Sequence, residues 1–268
     1  MKRERKSVYY KIASFFLHIM VPKAKTVFEV PPGDDPAVFV SNHASVNGPL
    51  MVTFYFPRRH KTWVIADAVD KVHTQSYAYH DVLVGDSRRN FRFWKTIAWV
   101  VKIALPPILI YDTIMVYRDK RVLDTFRRSV EALTQGSDIF IFGESTQRHS
   151  EYVNGIQPGF AGLGRMYRRK TGRNLKFFPV YLNKKNRLIS VGRPIEFDPD
   201  MDPEEFKKSA CTYIRDEIDR LGRSMKPHKP VPFLPQRWYD AYGERYENDV
   251  AAYWKMIETD SRFYSRGS

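Results

Sequence analysis

The sequence predicts an α/β protein, a mainly parallel, mixed sheet flanked by helices, and three observations carry that prediction. Six short apolar runs recur along the chain: AVFVS (37–41), TWVIA (62–66), TIMVY (113–117), DIFIF (138–142), KFFPVYL (176–182) and RLISVG (187–192). Each is nearly continuous in its hydrophobicity, as strands buried on both faces are. Helical patterns stand between them, and strands separated by helices join into a mostly parallel sheet.

The elements follow in chain order. A basic leader, MKRERK, precedes a segment in which Ser7, Lys11, Ser14 and His18 share one helical face and Val8, Ile12, Phe15, Phe16 and Ile19 share another. That pattern, over 1–22, suits an amphipathic helix lying in a bilayer interface; a helix packed on the protein core fits it too. Lys11 and His18 interrupt the segment and no small-residue cleavage site follows, so it is not read as a cleaved signal. No run of about 18 uninterrupted apolar residues occurs, so no simple transmembrane helix is expected.

The α/β domain is expected over 23–225. Within it, Val122, Phe126, Val130 and Leu133 form the stripe of a helix laid on a sheet. A second helix is predicted after Pro158-Gly159, and a third from Pro203 to about Leu221, with acids in its first turn. Residues 70–95 are polar and aromatic, end in Arg88, Arg89, Arg92 and Lys95, and read as an insertion or lid. The most apolar stretch, IAWVVKIALPPILI (97–110), fits core, the wall of an acyl-chain tunnel or a membrane-dipping element. From 226 to 268 a proline-rich link, PHKPVPFLPQ, leads to a helix around 246–257. There is no internal repeat.

Hydrophobic residues make up 43% of the 268-residue chain, enough for a folded protein with a substantial core. A single cysteine, Cys211, excludes an internal disulfide and a cysteine-based zinc site, and agrees with a cytoplasmic setting. The net charge is +14, and from Tyr152 to Ile195 there is no acid at all while ten Lys or Arg residues occur. Such a block points to an anionic partner: a membrane face, a phosphorylated substrate, an acidic carrier protein or nucleic acid. A merely solvated surface is the alternative. No zinc-finger or RNA-recognition signature accompanies the charge, so nucleic acid is not expected as a partner.

The chemistry centres on SNHASVNGPL (41–50), where His43 follows a strand with no carboxylate near it in sequence. Three further segments stand downstream: YDTIMVYR (111–118), FGESTQR (142–148) and FPVYL (178–182). In that order they resemble the four blocks of the glycerolipid acyltransferase family, which makes phosphatidic acid from lysophosphatidic acid. Asn42, His43 and Ser45 match the first block; Ile114 and Arg118 the second; Phe142, Glu144 and Thr146 the third; Pro179 and Val180 the fourth. QPGFAGLGRM (157–166) resembles the helix opening that follows the third block, and the resemblance spans about 37–197.

Departures accompany the matches. The family's first-block acid falls at position 48, which is Gly48 here. The proline and glycine flanking the third-block glutamate are Gly143 and Ser145, its arginine is Gln147 with Arg148 one step later, and the glycine opening the second block is Asp112.

The resemblance implies direct acyl transfer, with His43 as general base toward an acceptor hydroxyl and a thioester, acyl-CoA or acyl carrier protein, as donor substrate. It implies no cofactor and no metal. An imidazole suits the task because its ordinary pKa lies near operating pH. Three groups are candidates for holding the far ring nitrogen: Asn47, a carboxylate from elsewhere (Glu144 first, then Asp67 or Asp70), or a backbone carbonyl. Arg118 and Arg148, with Ser145 and Thr146, are the expected substrate-binding residues, guanidinium groups being suited to phosphate. The expected setting is the cytoplasmic face of an anionic membrane, held peripherally or monotopically, with a lysolipid acceptor. The alternative is a catalytically silent relative that keeps lipid or acyl binding.

Overall fold

A computed structural model describes residues 21, 23–45, 47–70, 72–104, 112–146 and 152–264. Apart from Val21, the expected helix over 1–22 lies outside these residues, as do Gln147 and Arg148.

The strands are β1 (Lys25–Phe28), β2 (Val38–Ser41), β3 (His60–Ile65), β4 (Thr113–Val116), β5 (Asp138–Phe142), β6 (Lys176–Asn183), β7 (Leu188–Val191) and β8 (Ile195–Glu196). The main helices are α1 (Asn47–Tyr55), α2 (Phe91–Ala104), α3 (Val122–Thr134), α4 (Gly162–Thr171), α5 (Pro203–Arg223) and α6 (Val250–Thr259). One sheet runs β1-β7-β6-β2-β5-β3-β4, with β8 paired to β6. β2 lies parallel to both β5 and β6, and β3 parallel to β5, while β7 and β8 run antiparallel to β6. This is the mainly parallel, mixed α/β sheet that the alternation of strands and helices predicts. All six anticipated strands are present; β1 and the two-residue β8 carry no sequence signal, because KTVF and IE are too short to show a period.

The chain divides into two compact units. The sheet unit comprises Val21–Trp63 and Ile114–Phe233. Its three central strands are buried on both sides, and alternate residues supply two separate cores. Val38, Val40, Ile139, Ile141 and Phe177 face α3, α4 and α5, meeting Val130, Leu163, Ile214 and Ile218. Phe39, Phe140, Phe178 and Val180 face the other way and meet Met51 and Val52 of α1. Phe39 stacks on Phe178 and Phe140 at 5.1 and 6.3 Å, and each such fully buried ring contributes about 1.5–3 kcal/mol. Helix α5 begins as its sequence predicts: Asp202 accepts from the N–H groups of Glu204 and Glu205, with Pro203 at the first helical position.

The second unit comprises the described residues of Val64–Thr113 and Leu234–Ser268. Tyr79 and Ala98 form its small core with Phe91, Trp94, Val101 and Phe263. The proline-rich tail is therefore shared: 226–233 belongs to the sheet unit, and the chain from Leu234 to the second.

Candidate active site

β2 delivers the chain to the site, and the first residue past it acts as a splint. The Asn42 carboxamide accepts from the Leu182 N–H at 2.7 Å and donates to the Leu182 carbonyl at 3.3 Å, extending the β2–β6 ladder by a side chain. His43 follows. Its backbone N–H donates to Glu144 Oε2 at 2.8 Å. The chain then turns through Ala44 and Ser45, both at positive φ (49° and 55°), a conformation that side-chain-bearing residues adopt at a cost of about 1–3 kcal/mol each. That turn brings the Ser45 carbonyl to 2.9 Å from His43 Nδ1.

A carbonyl oxygen can only accept, so Nδ1 carries the proton and Nε2 presents its lone pair. The ring is thus fixed in the tautomer a general base requires, by a backbone group. Glu144 holds the main chain of His43 and not its imidazole. Asn47, the first residue of α1, makes no side-chain hydrogen bond to the ring, whose Nδ1 is already engaged. Asp67 and Asp70 lie in the other unit.

At Gly48, where the resemblance sets an acid, the turn leaves no room for a side chain. A Cβ at this position would stand 2.1 Å from the His43 carbonyl oxygen, so no side chain fits without moving the turn. Gly143 is similarly confined. Its N–H donates to the Ser41 carbonyl at 3.1 Å, and a Cβ there would come within 2.8 Å of Val40, so a proline would lose the bond and collide.

Glu144 lies one residue beyond that glycine, 1% exposed, in an antiparallel bridge with Ile156. Its second oxygen accepts from the Asn154 N–H at 3.0 Å. Burial raises its pKa to about 7, against the lowering effect of the two backbone donors. Ser145 donates its N–H to the Gly155 carbonyl, while its Oγ is buried with no partner among the described residues. Thr146 beside it is half-buried. Arg118 is exposed just past β4, which β5 and β3 separate from β2, roughly 14 Å across at sheet spacing.

The largest surprise is Phe233. Its ring lies 4.1 Å from that of His43, tilted by 30°, and Phe142 flanks the imidazole at 5.3 Å. Burial among these groups drives the half-buried imidazole down to a pKa of about 4, against the raising effect of the Ser45 carbonyl. The segment carrying Phe233 is pinned to β6. His228 Nδ1 donates to the Lys226 carbonyl, so its Nε2 accepts from the Tyr181 hydroxyl at 2.7 Å. No sequence signal marks Phe233, because the link PHKPVPFLPQ has no helical or strand period. Exposed Lys184, Lys185 and Arg187 form the β6–β7 turn, at the end of the sheet where Asn42 meets Leu182. Among the described residues, no three His, Cys, Asp or Glu side chains gather where they would hold a metal ion.

No family model and no curated protein matches this chain. Among solved structures it is similar to the 1-acyl-sn-glycerophosphate (LPA) acyltransferase PlsC from Thermotoga maritima, over 82% of this chain and 79% of that one. The two are 15% identical with a TM-score of 0.42. A likeness of that degree bears on neither chemistry nor substrate.

Proposed function

We propose that this protein transfers a fatty acyl group from a thioester donor, acyl-CoA or acyl carrier protein, to a hydroxyl of a lysophospholipid or related lipid at a cytoplasmic membrane face. The observation that carries the reading is the bond from His43 Nδ1 to the Ser45 carbonyl, which leaves Nε2 as an unprotonated base. Nε2 takes the acceptor's hydroxyl proton as its oxygen attacks the thioester carbonyl carbon. The tetrahedral adduct collapses with loss of the C–S bond, and the imidazolium returns its proton to the leaving thiolate. No acyl-enzyme forms and nothing is oxidised.

A base with a pKa of about 4 is neutral throughout the working range but only weakly basic, so proton transfer must be concerted with carbon–oxygen bond formation. The Ser45 carbonyl stabilises the imidazolium less than a carboxylate does, since it brings no full charge. Glu144 is a positioning residue: it fixes the backbone from which the imidazole hangs. Arg118, Arg148, Ser145 and Thr146 are assigned to the acceptor on the family resemblance, and Lys184, Lys185 and Arg187 suit an anionic donor.

A second reading, lipid or acyl binding without turnover, is favoured by Phe233 lying against the imidazole. One assay separates them. Purified protein and His43→Ala are incubated with labelled acyl-CoA or acyl carrier protein and a panel of lysolipids. Product that falls about 10²–10⁴-fold in the variant, with unchanged thermal unfolding, is the expected result. Tight lipid binding with no product in either protein establishes the second reading, and product indifferent to His43 removes the mechanism.

A further inference from the structure

Helix α2 belongs to the unit that holds no part of the site above, and large apolar side chains stand on its outward side as well as its inward one. Its inward side follows the usual logic: Ala98 is fully buried, and Phe91, Trp94 and Val101 pack with it against Tyr79 and Phe263. Its outward side should be polar if it faced water. Instead Phe93, Trp99, Val100 and Ile103 are 51%, 52%, 49% and 43% exposed. At about 100° per residue these four fall in one sector opposite Ala98, with exposed Arg92 and Thr96 between them. Four large side chains left in solvent along one helix face form a patch that a soluble surface rarely keeps.

The charge around the stripe says what covers it. From Ser87 to Tyr111 there is no Asp or Glu, while Arg88, Arg89, Arg92, Lys95 and Lys102 all occur. Arg92, Lys95 and Trp99, with Gln75 and Thr96, line a cleft of about 340 Å³ on the helix. Arg88 lies over the Trp94 ring at 3.8 Å, and Arg89 and Arg92 are exposed. A second copy of the chain is a poor occupant, because a symmetric pairing through α2 would set two such acid-free segments against each other. A helix of 14 residues spans about 21 Å, short of the roughly 30 Å hydrocarbon core, and no described helix is long and apolar enough to cross a membrane.

We propose that α2 is an interfacial membrane contact: its Phe93–Trp99–Val100–Ile103 stripe seats in the boundary between headgroups and acyl chains of an anionic bilayer, and its cations meet lipid phosphates. An aromatic–aliphatic stripe fringed by Arg and Lys is the composition that lies in such an interface. The contact deepens the membrane setting proposed above but does not depend on acyl transfer.

The test uses the full chain in vesicle flotation, with phosphatidylcholine vesicles and with vesicles that also contain phosphatidylglycerol. Wild type is expected to float with the anionic vesicles and to be released by high salt. Phe93→Ser combined with Trp99→Ser and Ile103→Ser weakens flotation at least tenfold, while circular dichroism and thermal unfolding stay at wild-type values. Should the triple variant unfold, Trp99→Ala alone and Arg89→Glu with Arg92→Glu each lower anionic-vesicle binding severalfold. Transfer to a short-chain, water-soluble acceptor is unchanged in all of them, so loss of flotation is distinguishable from loss of catalysis. Flotation of the triple variant equal to wild type overturns the proposal. So does equal binding to neutral vesicles, or a wild-type dimer that the triple variant loses.

Discussion

His43 and His80 are both set among aromatic rings, one in each unit, and they differ in what their nitrogens touch. His43 has one nitrogen held by a backbone carbonyl and the other with no hydrogen-bond partner among the described residues. His80 is wholly buried with both occupied, Nδ1 by the Tyr242 hydroxyl and Nε2 by Asp260, each at 2.8 Å. Arg262 then brackets Asp86 and Asp260, and Tyr79 and Tyr242 donate to Asp86. Burial pushes both acids upward, but Arg262 and His80 outweigh it and hold them below the ordinary carboxylate range. Two π-helical turns, Ala78–Val82 and Tyr239–Gly243, carry His80 and Tyr242. The carboxylate partner lies beside His80, and none reaches the His43 ring among the described residues. An engaged network with no open valence rigidifies a fold, whereas a single restraint with one open nitrogen equips a site for chemistry.

Breaking the closed network has the largest expected effect. Asp260→Ala takes the acceptor from the buried His80 Nε2 and leaves Arg262 with Asp86 alone, at a cost of about 3 kcal/mol in denaturant unfolding. Acyl transfer by the folded fraction stays within about twofold. His43→Ala behaves inversely, with stability within about 1 kcal/mol of wild type and turnover lost. Equal stability losses in the two variants would erase the distinction between them.

The next effect sharpens the site itself. Burial raises Glu144 from 4.5 to about 7, so between those values the folded chain keeps a proton the unfolded chain releases, and stability is lost as pH rises. Burial lowers His43 from 6.5 to about 4, so between those values the unfolded chain binds the extra proton, and stability is lost as pH falls. The two slopes oppose each other across pH 4.5–6.5. Glu144→Gln removes the first slope. Relative to wild type the variant gains roughly 2–3 kcal/mol between pH 4.5 and 7. That gain lies on top of a constant loss of about 1–3 kcal/mol, because an amide NH₂ cannot accept from one of the two backbone donors. Parallel stability–pH curves for the two proteins would show that Glu144 is not the titrating group.

Giving His43 the carboxylate that His80 already has is a smaller and more pointed perturbation. Gly48→Asp places a Cβ 2.1 Å from the His43 carbonyl oxygen, so the turn must shift and Nδ1 loses the Ser45 carbonyl. The expected result is a loss of about 1–3 kcal/mol and lower activity, with Gly48→Ala equally impaired. Activity above wild type in the Asp variant would mean that the family's arrangement is merely absent here, not replaced.

Much of this was legible in the sequence, and the limits have physical causes. The central strands are readable because burial on both faces makes them continuously apolar, as VFVS and DIFIF are. His43 and Glu144 stand out by the order of the four blocks, and a backbone carbonyl was one of three candidates for the ring. The choice among the three depends on two positive-φ residues, Ala44 and Ser45, and nothing in their identity announces that conformation. Helix α2 (Phe91–Ala104) spans the join between the polar, aromatic 70–95 segment and the apolar 97–110 stretch, so neither segment read alone shows it as one helix. The His80 network joins residues more than 150 positions apart, a separation that local pattern cannot bridge.

Phe233 distinguishes the two histidines most finely, since desolvation is the largest cause of the low pKa at His43 and Phe233 is the ring nearest to it. Phe233→Ala admits water to one face of the imidazole while leaving the Ser45 bond in place. The His43 pKa should then climb from about 4 toward its ordinary 6.5, by roughly one unit in a proton NMR titration of the ring. The kinetic consequence separates closure from obstruction. If Phe233 excludes water around the transition state, its removal lowers kcat with little change in KM. If it blocks the acceptor's approach, KM falls and kcat/KM rises. An unmoved His43 titration in the variant would place the desolvation elsewhere, in the turn through Ala44 and Ser45 and in Phe142, and would reduce Phe233 to packing.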